Sequence, residues 1–169
     1  MKTYGVLLIG CGHIGMQHLL DIYYRENIRI EAVVDQDPER VAQAAHRCGA
    51  LAWGQDYRPF LKSDQVDIVI IATYTDSHLP ILRDCLAHHK HVLCEKPIAR
   101  TLAEGREFVQ AVREAPEKVL VAHILRLRKI HGRRRLDFPA RQGPQNLTRP
   151  GQIRFRFAHI GTHAHIRHM

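Results

Sequence analysis

A chain of 169 residues can bury one good hydrophobic core, but it is too short for two domains of typical size. Its formal charge of +8 is unevenly spread, because residues 1–125 hold 14 Lys and Arg against 16 Asp and Glu, whereas residues 126–169 hold 11 against one. The basic charge therefore belongs to the C-terminal segment, and the longer, slightly acidic part lacks the charge pattern of a nucleic-acid-binding domain.

The first predicted elements are a strand, a helix and a second strand. Tyr4–Ile9 is a short apolar run that ends in glycines, as expected for a strand buried on both faces of a parallel sheet. Apolar residues from Ile14 onward recur at helical spacing, and Asn27 closes that segment. A second apolar run, Ile28–Val34, then predicts the next strand.

The following segments repeat this alternation. Asp37 and Pro38 predict a helix start, because the aspartate can cap free amides and proline tolerates the first helical position, and Gly49 is a plausible stop. Thr101 with Glu104 three residues later forms a capping box that predicts another helix start. The remaining predicted elements are strands at 51–53, 67–72, 91–94 and 119–123 and helices at 76–89 and 101–115.

Six strands that alternate with helices predict an α/β fold with a doubly wound parallel sheet, since parallel neighbours need crossover connections. We assign this nucleotide-binding Rossmann domain to residues 1–124. In such folds the ligand lies at the carboxyl ends of the strands, near the switch point between the first and fourth strands.

The loop after the first strand carries the pattern GxGxxG in the sequence Gly10-Cys11-Gly12-His13-Ile14-Gly15. Its glycines permit a tight turn, the approach of the backbone to a diphosphate and close packing of the helix on the sheet, in that order. The helix N-terminus offers unpaired amides to the phosphates. We expect His13 and Ile14 to contact the cofactor, and we give His13 and Cys11 no catalytic role.

Asp35 ends the second strand about twenty residues after this loop, where its carboxylate can accept hydrogen bonds from an adenosine ribose. The carboxylate would repel the 2′-phosphate of NADP, so the predicted cofactor is NAD, with NADP possible. Arg40 lies nearby in sequence and could soften that preference, or it could be an ordinary arginine on a helix surface.

The GCGHIG loop, VVDQDPER, Ala72-Thr73-Tyr74-Thr75-Asp76-Ser77-His78 and Glu95-Lys96-Pro97 together resemble the glucose-fructose oxidoreductase, inositol dehydrogenase and MocA-like family over residues 3–126. The Glu-Lys-Pro triplet at the end of the fifth strand is the most discriminating element. The resemblance implies that Lys96 lies beside the nicotinamide and the substrate hydroxyl and tunes proton transfer, so Lys96 is the predicted catalytic residue.

The same resemblance implies cofactor contacts from two further segments. Ala72 and Thr73 belong to the turn after the fourth strand, although Tyr74 and Thr75 replace the Pro-Asn pair that is common there. His78 is either a site residue or a helix cap. The flanking residues of Lys96 are expected to shape its turn, Glu95 structurally and Pro97 through a cis peptide bond.

Residues 125–169 are expected to be a basic tail, a truncated or irregular remnant of the large second domain that family members carry and that supplies an Asp and a His. Arg126 falls at the expected crossover into that domain, and the following residues have neither helical nor strand periodicity. Three interpretations stay open: a basic arm for nucleic acid, the least favoured; a flexible solvated tail; or a segment translated out of frame. Four histidines near the end are not predicted to bind metal, namely His159, His163, His165 and His168.

The predicted function is that of an NAD-dependent sugar or polyol dehydrogenase, represented mainly by its cofactor domain and incomplete for catalysis. The alternative is a non-catalytic dinucleotide-binding or sensing protein with a basic partner-binding tail. No run of about eighteen apolar residues is present, and the four cysteines show no CxxC spacing, so we expect no membrane partner, free thiols and a cytoplasmic location. Loss of the second domain would expose covered surface, so self-association is also expected.

Overall fold

A computed structural model describes residues 2–123 of the chain. The predicted tail, including the four C-terminal histidines, lies outside the described residues. The strands are β1 (Tyr4–Ile9), β2 (Ile28–Val34), β3 (Ala52–Gly54), β4 (Ile68–Ile71), β5 (His91–Cys94) and β6 (Val119–Val121). The helices are α1 (His13–Ile22), α2 (Pro38–Cys48), α3 (Arg58–Leu61), α4 (His78–Ala87) and α5 (Leu102–Glu114), with a 3-10 turn at Thr75–Ser77.

The six strands form one parallel sheet in the order β3-β2-β1-β4-β5-β6. This order confirms the predicted doubly wound Rossmann sheet and places its switch point between β1 and β4. Side chains of β1 alternate between two cores, with Leu7 and Ile9 facing α3, α4 and α5, and Val6 and Leu8 facing α1 and α2. Both faces of the sheet are therefore covered, which explains why its central strands are continuous apolar runs.

The predicted helix boundaries that rest on capping chemistry are confirmed. Asp37 caps α2 by accepting hydrogen bonds from the amides of Glu39 and Arg40, and Gly49 ends it in the left-handed region at a φ of 65°. Thr101 and Glu104 form the reciprocal capping box of α5. Side chains that satisfy free amides at a helix start fix that start locally, so sequence alone locates it.

The structure differs from the prediction around α3 and α4. The single turn α3 escaped prediction because four residues carry no periodicity. The predicted helix 76–89 is shorter, since the Ser77 hydroxyl donates to the Tyr74 carbonyl within a 3-10 turn that precedes α4. Beyond the last residue of α4, His89 turns into the left-handed region at a φ of 56° and ends the segment.

Three strands also differ from prediction by one or two residues at their ends, at 52–54, 68–71 and 119–121. Within residues 2–123, the helices are all too short or too polar to cross a membrane.

Candidate functional site

A cleft of about 1240 Å³ lies at the carboxyl ends of β1 and β4, at the switch point of the sheet. The loop after β1, the end of β2 and the turn after β4 form its walls. The predicted cofactor residues that line it are Gly10, Gly12, His13, Ile14, Asp35, Arg40, Ala72 and Thr73. Sequence positions up to 63 residues apart thus meet at the place that the sheet topology predicts.

Two glycines of the loop are required for the packing of the protein, whether or not a ligand is bound. Gly10 has a φ of +95°, and a Cβ there would come within 2.5 Å of the Ala72 carbonyl oxygen. A Cβ on Gly15 would come within 2.0 Å of the Gly10 carbonyl oxygen. Gly15 is buried in α1, so it supports the loop from behind and does not line the cleft.

Gly12 differs from both, because a Cβ at this position would meet no atom within 4 Å. It is the N-cap residue of α1, and no side chain caps that helix. The first amides of a helix have no partner within the helix and carry a partial positive charge. Open space beside uncapped amides fits the diphosphate of a dinucleotide, whose oxygens accept from such amides.

Asp35 stands at the end of β2 with its side chain only 9 % exposed. One carboxylate oxygen accepts from the Cys11 amide at 2.7 Å, and the other accepts from the Asp37 amide at 3.0 Å. These bonds tie the glycine loop to the start of α2. A carboxylate can accept about four hydrogen bonds, so the Asp35 carboxylate can accept from a further donor.

Arg40 is this further donor. Its guanidinium lies 3.2 Å from an Asp35 oxygen and 3.2 Å from an Asp37 oxygen, with half of its side chain exposed. The Arg40 backbone amide also donates to Asp37, which with the guanidinium holds the pKa of that carboxyl below its ordinary value. Arg40 is therefore an ion-paired residue at the lining of the cleft, and its contact with a cofactor stays a prediction.

The turn after β4 is held by hydroxyl groups. The Ser77 hydroxyl lies 2.7 Å from both the Thr73 hydroxyl and the Tyr74 carbonyl oxygen. Tyr74, which stands where a proline is common in the resembled family, is 88 % exposed at the rim of the cleft. Ser77 was not singled out in the sequence, because nothing in a lone serine marks it as part of such a turn.

The Glu95-Lys96-Pro97 segment follows β5 and lies outside the lining of the cleft. Its Lys96–Pro97 peptide bond is cis, as predicted. Glu95 is 6 % exposed, which agrees with the structural role expected of it, and its contact with a coenzyme stays a prediction. Lys96 and Pro97 are exposed to solvent.

His78 is the first residue of α4 and is 1 % exposed. Its Nδ1 lies 3.0 Å from the Pro97 carbonyl oxygen and its Nε2 lies 3.1 Å from the Thr73 carbonyl oxygen. The N-cap residue of α4 is Ser77, whereas His78 is the C-cap residue of the preceding 3-10 turn. The ring is buried beneath the turns that follow β4 and β5, and its contact with a cofactor stays a prediction.

His18 on α1 is a contributor that the sequence analysis missed. Its Nε2 lies 2.7 Å from a Glu95 carboxylate oxygen, and the two side chains are 18 % and 8 % exposed. Its place in the sequence could have indicated this contact. His18 follows Gly15 by three residues and so lies on the same face of α1, toward the sheet. A lone histidine outside the glycine pattern did not reveal this.

The cysteines near the cleft lack the properties of nucleophiles. Burial raises the pKa of the Cys11 thiol to about 12, and burial also raises that of Cys94 to about 12. Thiols with such values stay protonated at neutral pH. This agrees with the absence of a catalytic role for Cys11 in the sequence analysis.

Comparison with known proteins identifies the same domain. Residues 4–123 match the family model GFO_IDH_MocA, described as an oxidoreductase family with an NAD-binding Rossmann fold. The chain is 33 % identical over 120 residues to inositol 2-dehydrogenase of Rubrobacter xylanophilus, covering 70 % of this chain and 34 % of that protein.

Two solved structures share the fold. Scyllo-inositol dehydrogenase from Lactobacillus casei, with bound NAD(H) and scyllo-inositol, superposes with a TM-score of 0.71 at 22 % identity, over 76 % of this chain and 38 % of that one. A levoglucosan dehydrogenase in complex with NADH superposes with a TM-score of 0.65 at 29 % identity, over 72 % and 35 %. The chain thus spans about a third of the length of these proteins.

Proposed function

This chain belongs to the Gfo/Idh/MocA oxidoreductase family, as its resemblance predicted, and we propose that its NAD-binding Rossmann domain serves as the coenzyme half of a sugar or polyol dehydrogenase. The main support is that the uncapped amides at the start of α1, beside Gly12, and the Asp35 carboxylate lie in one cleft at the switch point of the sheet. The family model supports the predicted coenzyme, NAD.

The domain's own residues bind the coenzyme at two places. The first amides of α1 donate to the diphosphate, and Gly12 leaves room for it. Asp35 accepts from the adenosine ribose through the positions that now face Arg40, so the guanidinium shifts toward Asp37 or the solvent when the ribose binds. This exchange of one partner for another keeps the carboxylate satisfied.

The pair formed by Asp35 and Arg40 sets the coenzyme preference. Two carboxylates face one guanidinium at this end of the cleft, so the local charge is negative and disfavours a 2′-phosphate. We propose a preference for NAD over NADP, with Arg40 moderating it because a guanidinium is also a good phosphate ligand.

Lys96 is the proposed catalytic residue. Bound NAD would accept a hydride from the carbon that bears the substrate hydroxyl. The exposed Lys96 side chain at the end of β5 contacts that hydroxyl oxygen and orients it, and in its amine form it accepts the hydroxyl proton, which it then passes to the solvent. The substrate class is proposed from two relatives whose names specify an inositol and levoglucosan, which are a polyol and an anhydro sugar.

A second candidate is a dinucleotide-binding or sensing protein without turnover, which the charge of residues 126–169 favours. That segment holds 11 Lys and Arg against one acid and would serve as a partner-binding arm. Both candidates require coenzyme binding, so the two separate only by chemistry.

Calorimetric titration of the purified chain with NAD and NADP tests the shared requirement. The proposal expects one NAD site per chain and weaker binding of NADP. A screen of polyols and sugars for NADH production then separates the candidates, with the same chain carrying Lys96→Met as control. Turnover that depends on Lys96 excludes the sensing candidate and overturns the expectation that this chain is incomplete for catalysis. Binding of NAD without turnover is the result that the coenzyme half of a dehydrogenase predicts, and it leaves the sensing candidate standing beside it.

We also propose a cytoplasmic location and self-association. All four cysteines are free and buried, which fits a reducing compartment. Exposed apolar side chains such as Leu102 and Leu120, 73 % and 56 % exposed, would support association between copies. Size-exclusion chromatography with light scattering over a concentration series tests the association.

A further inference from the structure

Two histidines from different helices hold the turn that carries Lys96. His18 belongs to α1, which begins at the glycine loop, and His78 begins α4, which follows the turn after β4. Each approaches the Glu95–Pro97 turn from its own side. We call the two contacts, His18 with Glu95 and His78 with Pro97, the histidine brace.

On the side of α1, the brace works through the Glu95 carboxylate. One oxygen lies 2.7 Å from His18 Nε2, and the other accepts from the Lys96 amide at 3.0 Å. Because both oxygens are engaged, the carboxylate cannot rotate without breaking a bond. The position of α1, and hence of the glycine loop, is thereby connected to the backbone of Lys96.

On the side of α4, the His78 ring lies between two carbonyl oxygens, one from the turn after β4 and one from the turn after β5. It is 3.1 Å from the Thr73 oxygen and 3.0 Å from the Pro97 oxygen. Since the ring is 1 % exposed, water does not compete for these contacts. The turn after β4 and the turn after β5 are therefore fixed relative to each other.

The chemistry of the brace indicates positioning and not only stability. A buried hydrogen-bonded pair such as His18 and Glu95 adds little net stability, because desolvation offsets its attraction and an apolar pair of similar shape is often nearly as stable. A flexible lysine at the end of a strand has only its backbone held by the fold, and here that backbone amide is bonded by the braced carboxylate.

We propose that His18 and His78 are positioning residues that set Lys96 against the nicotinamide half of the bound coenzyme. This inference rests on the proposed function. It predicts that loosening the brace harms binding of the nicotinamide half while the adenosine and diphosphate half binds as before. ADP-ribose, which contains that second half and lacks the nicotinamide, separates the two.

The experiment compares the Kd of NAD and of ADP-ribose for the whole chain and its variants. His18→Leu is expected to weaken NAD binding about tenfold and to leave ADP-ribose binding within about twofold, because the turn must be ordered at the cost of binding energy. His18→Gln restores most of the NAD affinity, since its amide can still donate to Glu95. The matched control is His46→Leu on the exposed face of α2.

Hydrogen exchange at the Lys96 amide provides a second readout. It accelerates in His18→Leu and not in His46→Leu, while the amides of β4 keep their protection. If His18→Leu does not fold, Glu95→Gln replaces it, since the glutamine keeps an acceptor for the Lys96 amide and loses the charge that faces His18. The same selective loss of NAD affinity is expected.

Equal weakening of NAD and ADP-ribose, or no weakening of either, overturns the brace as a positioning device. Failure of His18→Gln to restore affinity overturns the assigned role of the donated hydrogen bond. Failure of the unmodified chain to bind both ligands overturns the proposed function itself, and the brace with it. Failure of the two proposals is therefore distinguishable.

Discussion

The sharpest prediction compares two glycines of the same loop, Gly12 and Gly15. Gly12→Ala places a methyl group in open space, whereas Gly15→Ala drives one to within 2.0 Å of the Gly10 carbonyl oxygen. The protein itself needs Gly15 and does not need Gly12. If a dinucleotide lies on the loop, Gly12 is required for the ligand, so one substitution damages binding and the other damages the fold.

The magnitudes follow from these contacts. Gly12 has ordinary dihedral angles, with a φ of −68°, so alanine there trades a slightly poorer cap against a less flexible unfolded chain, and unfolding free energy changes by less than about 1 kcal/mol. Displacing the diphosphate from charge-assisted amide bonds costs about 2–3 kcal/mol, or roughly 30- to 150-fold in the Kd of NAD. Gly15→Ala costs about 3 kcal/mol or more in stability through overpacking.

Urea unfolding and calorimetric NAD titration of both variants provide the assay. The expected result is a Gly12→Ala chain that unfolds like the unmodified one and has lost most of its NAD affinity. A Gly12→Ala chain that binds NAD as tightly as before would refute the reasoning, because no ligand then occupies the space beside the α1 amides. An unchanged stability of Gly15→Ala would refute the packing argument.

Three further predictions concern other parts of the domain. Asp35→Ser should raise the affinity for NADP relative to NAD by about tenfold or more, since it removes a carboxylate and releases Arg40 for the 2′-phosphate. Adding Arg40→Leu to this variant should cancel the gain. An unaltered coenzyme preference would contradict the role assigned to the pair of Asp35 and Arg40. Thr101→Ala should lower the unfolding free energy by about 1 kcal/mol in urea while Thr101→Ser retains it, and equal stability of all three chains would show that the capping box contributes nothing. A disulfide reagent at pH 8 should label the folded chain slowly and should label all four thiols in urea, because burial raises the pKa of each thiol above 9 in the folded chain. The protonated thiols contribute stability that is fully present below pH 9 and is lost as the pH rises toward about 12. Rapid labelling of the folded chain would contradict the burial of its four cysteines, Cys11, Cys48, Cys85 and Cys94.

Features governed by neighbouring residues in the sequence were predictable. The Asp37 cap and the Thr101 and Glu104 capping box each depend on contacts within a few residues, so their sequence patterns locate them. The sheet order followed from the alternation of elements, since handedness and parallel pairing leave few alternatives.

The contacts that cross between elements were not predictable. His18 lies 77 residues from Glu95, and the ring of His78 lies beneath a turn 19 residues away. No periodicity or local pattern encodes such a distance, because it depends on how α1 and α4 pack against opposite faces of the sheet.

The central claim is that a dinucleotide lies across the first amides of α1 with its ribose on Asp35. An NMR titration of the ¹⁵N-labelled chain with NAD tests this most directly, because it reports binding residue by residue. The account predicts progressive shifts at the amides of residues 10–15 and 35–37, reproduced by ADP-ribose. Saturating NAD that leaves these amides unmoved, or that shifts only amides elsewhere in the chain, would contradict it.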